Sequence, residues 1–353
     1  MASRPKTILR KAVMIGARAT GLTRLFRPVL GGVGAILMLH RVGPPQNTSG
    51  LNDFLSVDPA FLDALLGRLK RAGWTFVSMD EAVEGLEGGS KKGRFLAVTL
   101  DDGYRDNLEA AAPVFAAHQV PYTVYVCPGL IEAQAFLWWE VVAAVIERHD
   151  QISFTLFDGD QTLDCDTPAR KLIAYSQLTR YLSTEVDEDE QRRFVRQFGR
   201  AYGIDERAHC RDAVMNWSEL RRLGADPLCT IGAHTINHHF LSRLPAERAR
   251  FEIAQCAEVL AVELGERPVH FAYPYGGRDA LGPREVEIVR GAGYRSAVTT
   301  RHGLLRPAHK DHLLELPRIS VNGEYQSTHY VDTMLSGITV PVANRGRRFV
   351  TVD

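Results

Sequence analysis

Residues 95–104, Phe-Leu-Ala-Val-Thr-Leu-Asp-Asp-Gly-Tyr, decide how this chain is read. Phe95 to Leu100 is an apolar, partly β-branched run with the composition of a buried strand. It ends in Asp101, Asp102 and Gly103, so the strand delivers two adjacent carboxylates at its C-terminal tip. In α/β architectures active sites are built at that tip. Adjacent carboxylates repel, and a cation is the natural way to keep both ionised. One can then bind the metal while its neighbour handles a proton. The plainer alternative is an Asp-Asp-Gly turn that only caps the strand.

A second cluster favours the metal. After a strand-like run, Cys229–Ala233, comes His234-Thr235-Ile236-Asn237-His238-His239. The four-residue spacing predicts His234 and His238 on one face of a helical turn. Two imidazoles and a carboxylate are a familiar set for catalytic zinc, with one position left open. Zinc proteases place a Glu directly after the first His. Thr235 stands there, which leaves Asp101 as the available base. A lone His pair at this spacing is more often a surface or capping feature; beside the Asp-Asp tip it reads as a metal site. A third piece, Tyr273-Pro274-Tyr275-Gly276-Gly277, follows the strand Val269–Ala272.

In this order the three pieces resemble the polysaccharide deacetylase family with the NodB homology domain (carbohydrate esterase family 4). Ile36–Val42, the Trp138–Trp139 pair, Met215–Leu220 and Leu316–Val321 are similar to that family's bacterial envelope-polysaccharide branch. Together they span about residues 35–322. The resemblance implies a distorted (β/α)7-type barrel and metal-dependent removal of acetyl groups from a glycan. It implies metal ligation by Asp102, His234 and His238, and Asp101 as general base toward the attacking water. The backbone N–H of Tyr275 would hold the oxyanion. Tyr104, Pro274, Tyr275, Trp138 and Trp139 would contact substrate, although paired Trp residues are more often core anchors. Zinc is the expected ion, with cobalt, nickel or manganese as alternatives.

The chain departs from the family pattern twice. No late Leu-x-His motif holds a general acid; His40, at the exit of the first strand, is the candidate, against a purely structural His at a strand end. Ala272 stands where many relatives carry the Arg that orients the base, and Arg318 could supply that charge from another strand tip.

With 353 residues, 45% hydrophobic and 24% charged, the chain suits one barrel-sized globular domain. A net charge of zero nominates no polyanion, so nucleic acid is not an expected partner. Residues 1–52 nevertheless carry eight Lys/Arg and no acid. This defines a basic arm, residues 1–34, that is loosely held, partly helical over 1–30, and either touches an anionic inner leaflet or is simply solvated. Five cysteines without CxxC spacing read as reduced thiols of a cytoplasmic protein. The uncharged run Ala12–Ala17 is too short for a secretory signal, and Pro28–Leu39 is too short to span a bilayer.

The deacetylase domain is expected over residues 35–325, with a polar loop over its mouth at 44–53. A mainly helical insertion, about 130–213, carries one strand-like piece, Ile152–Phe157. The C-terminal tail spans 326–353, and its last stretch, Val340–Asp353, reads as basic and mobile. Three functions compete: an N-deacetylase (or O-acetyl esterase) on a polysaccharide or lipid-linked oligosaccharide, a silent glycan binder, and an unrelated metal hydrolase. The sugar and the oligomeric state are not written in the sequence.

Overall fold

The main sheet has eight strands: β1 (Gly34–Leu39), β2 (Trp74–Phe76), β3 (Arg94–Leu100), β4 (Tyr122–Val126), β5 (Cys229–Ala233), β6 (His270–Ala272), β7 (Ser296–His302) and β8 (Leu316–Ser320). They belong to a computed structural model that describes residues 4–44, 48–88, 94–156 and 159–352. All main-sheet pairings are parallel, in the order β1-β8-β7-β6-β5-β4-β3. The ring closes because β1 also pairs with β3, from Gly34 opposite Phe95 to Leu39 opposite Leu100. This is a closed, parallel seven-strand barrel, as the resemblance implied, and β2 lies outside it on the first half of β3. The β5–β6 contact is a single register pair, Phe271 with Ala233, and β7 shifts register against β8. The distortion is concentrated there.

Period-2 alternation sorts each strand into two faces. Ile36, Ala97, Tyr125, Ala272, Val298 and Leu316 form the barrel interior. Leu37, Val98, Val124 and Ala233 belong to the larger core between barrel and helices. The helices follow local signals. Asp58 caps the Pro59–Arg71 helix by accepting from the amides of Ala60 and Phe61, and Leu62, Leu65, Leu66 and Leu69 are buried. Pro113 does not break its helix. Residues Asn107–Ala111 form a π-helical turn that leads into Ala112–His118 and accommodates the missing donor.

Between β4 and β5 the alternation pauses for the insertion. Its helices Trp138–Arg148, Pro168–Thr184 and Glu188–Ala201 pack together beside the barrel mouth. Lys171 donates to the carbonyls of Ile146, Glu147 and His149, a cation at the open end of the Trp138–Arg148 helix. The expected strand is half of a hairpin, Gln151–Leu156 with Gly159–Asp164; Phe157 lies outside the described residues. The second strand was not legible because Gly-Asp-Gln-Thr-Leu-Asp is polar, and its burial merely alternates.

Both termini are more firmly held than the sequence suggests, and the arm is more fully helical. The arm is two helices, Arg4–Ala19 and Leu22–Leu30, and Met14 is buried in the core. The tail is packed rather than mobile: Val331, Val340 and Val350 are buried, and Val352 donates its amide to Glu315. Its apolar residues at Val331, Met334 and Leu335 explain the docking, which its basic end obscured.

Gly232 shows how tight the interior is. A Cβ there would overlap the fully buried Tyr125 ring and press on the His270 carbonyl. Gly232→Ala should destabilise the protein by about 1–3 kcal/mol, the usual cost of overpacking, read as a lower urea midpoint.

Candidate active site

Asp101 continues the inward face of Ala97 and Thr99. Alternation would turn Asp102 the other way, but its φ of 74° reverses the chain there and brings both carboxylates to the mouth. Gly103 follows with φ +69°, and a Cβ on it would meet Val126. The amide of Met215 donates to the Gly103 carbonyl, and Arg105 pairs with Glu219 at 3.1 Å, so the insertion's exit is stitched to this loop.

Asp101 and Arg318 are 2% and 1% exposed. Two parallel hydrogen bonds join them, at 2.8 and 2.7 Å. The guanidinium also donates to the Thr299 carbonyl and the Thr99 hydroxyl. Burial alone would raise the Asp101 carboxyl. The Arg318 charge and hydrogen bonds outweigh it and hold the group below the ordinary carboxylate range. Ala272 is fully buried in the same interior, so the charge absent from β6 is delivered by β8.

His234 and His238 reach Asp102 by a route the spacing did not anticipate. Residues 234–240 are not helical, and Thr235 and His238 have φ of 65° and 55°. The Thr235 hydroxyl accepts from the His238 amide, which replaces the helical turn by a loop. Both Nε2 atoms nevertheless face Asp102 Oδ1, at 3.5 and 3.2 Å. His234 Nδ1 sits 2.7 Å from the Ala272 carbonyl and must donate, leaving Nε2 with its lone pair. Burial lowers the His238 imidazole and so favours its neutral form.

The three groups offer ligand atoms within 4.8 Å of one another, all buried. Among the described residues, Asp102 Oδ1 has no hydrogen-bond partner. A carboxylate oxygen without a donor, facing the Nε2 atoms of two imidazoles, fits a divalent cation.

His40, Asp101, Asp102, Trp138, Trp139, His234, His238 and Tyr275 share one cavity of about 470 Å³. His40 is held through its carbonyl, which accepts from Asn107 at 2.8 Å. Its neighbour Arg41 pairs with Asp106 at 2.9 Å. Among the described residues, no hydrogen bond from the Tyr275 amide, at φ 61°, is found. Trp138 donates to the Tyr275 hydroxyl at 2.9 Å, and the Trp139 ring lies 5.1 Å from His238. Two expected contacts lie elsewhere. Tyr104 is fully buried, with its hydroxyl on Glu140 and Trp139, and Pro274 is buried beneath the mouth.

Several residues were missed by sequence reasoning. Glu252 accepts from Asn237 and His239 and fixes the ligand loop from a distant helix. Arg192 of the insertion donates to the carbonyls of Phe136 and His238. One cavity wall is the Pro168–Thr184 helix, with Tyr175, Thr179 and Ser183 four residues apart. That polar i, i+4 stripe was the available signal. Phe54 and Leu55, after the expected mouth loop, complete another wall; residues 45–47 of that loop lie outside the described residues.

The chain thus joins a closed parallel barrel to a buried Asp/His/His cluster at its mouth. Residues 199–297, which hold the His234–His239 and Tyr273–Gly277 motifs, match the model of the polysaccharide deacetylase family, in keeping with the resemblance; the Asp101-Asp102 tip lies outside the matched segment. Among solved structures, the chain is similar to the Streptococcus pyogenes deacetylase PplD in complex with acetate. The TM-score is 0.56 at 18% identity, over 84% of this chain and 95% of that one. It is similar to IcaB from Ammonifex degensii, with a TM-score of 0.55 at 19% identity, over 86% and 97% of the two chains. The deacetylase domain of BpsB from Bordetella bronchiseptica gives 0.50 at 16% identity, over 83% and 96%. Identities this low establish the fold. No curated protein matches the chain by sequence.

The ion pair yields a stability prediction. Arg318→Met removes one partner of a buried pair and strands a carboxylate, which typically costs about 3–5 kcal/mol. Chemical denaturation should show this loss, and Arg318→Met combined with Asp101→Asn should recover part of it.

Proposed function

We propose that the protein is a metal-dependent deacetylase that hydrolyses N-acetyl groups on a polysaccharide or lipid-linked oligosaccharide. The observation that carries the reading is the buried Arg318–Asp101 pair set beside Asp102, His234 and His238 at one cavity. A glycan binder has no use for a second, separately oriented carboxylate there.

Asp102, His234 and His238 would hold the ion, zinc being the best match to two imidazoles and a carboxylate. When bound, such an ion polarises the acetyl carbonyl and acidifies water. Asp101 stays ionised at neutral pH, and Arg318 fixes its plane, so it can take the proton of the attacking water. The unused Tyr275 amide donates to the oxyanion of the tetrahedral intermediate. His40, on the same rim, gives a proton to the departing amine. Trp139, partly exposed at the cavity wall, offers its ring to a sugar, and the buried Trp138 positions Tyr275 through its hydroxyl.

Two experiments test this. His238→Ala should lose a bound transition metal by elemental analysis, whereas Asp101→Asn should keep the metal and lose acetate release by about two orders of magnitude or more. Wild-type protein that holds metal but releases no acetate from any acetylated glycan would favour a silent binder.

His40→Ala should keep the metal and slow amide hydrolysis by about 100-fold or more, the scale for a lost general acid. Esters, with better leaving groups, should suffer less. Equal losses on both, or none, would make His40 structural.

A further inference from the structure

Thirteen large apolar side chains are exposed among the described residues, and eight of them lie between Ile8 and Val29. That concentration sits on the two N-terminal helices. The first is docked through one stripe. Thr7 bonds Glu324, Lys11 lies over the Tyr325 ring, Met14 is buried, and Arg18 pairs with Asp332. Ile8, Leu9, Val13 and Ile15 occupy the sector left over, and Ile8 is 67% exposed.

The second helix buries no residue. Leu22, Leu25, Phe26 and Val29, at i, i+3, i+4 and i+7, form one apolar face, with Leu25 68% exposed. Arg24 and Arg27 turn the other way, into a cavity of about 530 Å³. Arg18, Arg68 and Arg94 also line it, against one carboxylate, Asp332, which Arg18 and Arg68 already share. Residues 1–52 contain no acid to balance this charge.

A protein surface rarely gathers this much apolar area without a partner. An apolar face at 3.6 periodicity beside cationic side chains suits the acyl–headgroup boundary of a bilayer. Among the described residues no helix is long and apolar enough to cross a membrane, so the contact is interfacial. We infer that the two N-terminal helices seat the protein on a membrane surface rich in anionic phospholipid. The Leu22–Val29 face enters the acyl boundary, and the arginine-lined cavity receives headgroup phosphates. Trp74 and Arg94 begin their strands, so this cavity lies at the end of the barrel opposite the catalytic mouth.

The test is sedimentation of the full chain with vesicles of phosphatidylcholine alone, or mixed with phosphatidylglycerol. Binding is expected to the mixed vesicles only and should weaken with salt. Leu25→Asp with Phe26→Asp should abolish it, and Arg24→Gln and Arg27→Gln should each cost about fivefold. These positions are exposed, so circular dichroism and melting should be unchanged. Equal binding to neutral vesicles, or undiminished binding by the Asp pair, overturns the inference. So does a wild-type dimer that ignores vesicles and becomes monomeric in the Asp pair, which would make this face a contact between copies.

Discussion

A carboxylate inside a barrel is the constraint around which the rest is arranged. Asp101 has almost no contact with water, and an unpaired charge there would be neutralised or would destabilise the fold. Arg318 resolves this with four hydrogen bonds, two of them to the carboxylate. The pairing demands an interior partly built of small residues. Ala97, Ala272 and Gly232 occupy inward positions and leave space for Tyr125 and the guanidinium. The same pair that stabilises the core therefore orients the group most suited to accept a proton.

Backbone strain is the second cost, and it is concentrated where the chemistry is. Asp102, Thr235, His238 and Tyr275 all have positive φ. Such conformations cost on the order of 1–3 kcal/mol each and persist only when their surroundings over-determine them. The surroundings are visible. Glu252 receives three hydrogen bonds from the histidine loop, Arg192 holds the His238 carbonyl, and the Cys127 thiol donates to the His234 carbonyl. The insertion thus supports the ligand loop as well as walling the cavity.

The barrel strands were legible because buried parallel strands are short, apolar and β-branched, and each ends where polar residues begin. Asp101, Asp102, His234 and His238 were legible as one cluster only in combination, since an Asp-Asp turn and a His pair each have plainer readings alone, and the structure brings them to one cavity. The path of the histidine loop was not. Four-residue spacing brings two side chains together in a helix, but a Thr hydroxyl and two left-handed residues achieve the same end. Glu252 and Arg192 left no local signature, since their partners lie on other elements. Tyr104 was misread for the converse reason: an aromatic next to a catalytic loop can as well face the core, and Glu140 and Trp139 draw it there. The docked tail was hidden because its charged end dominates its composition.

The way the ring closes sets an order of assembly. Asp101 and Arg318 are separated by 217 residues, and β1 must pair with both β3 and β8. A chain emerging from its N-terminus presents Asp102, His234 and His238 well before β8 exists. During that interval Asp101 has no cationic partner and the barrel has an open seam beside β1. Contacts this distant in sequence form late, because loop closure must be completed before they contribute. On the proposed reading, the Asp102, His234 and His238 cluster is available to a cation before Arg318 orients Asp101, so ion capture and catalytic competence would be separable events in the maturation of the chain.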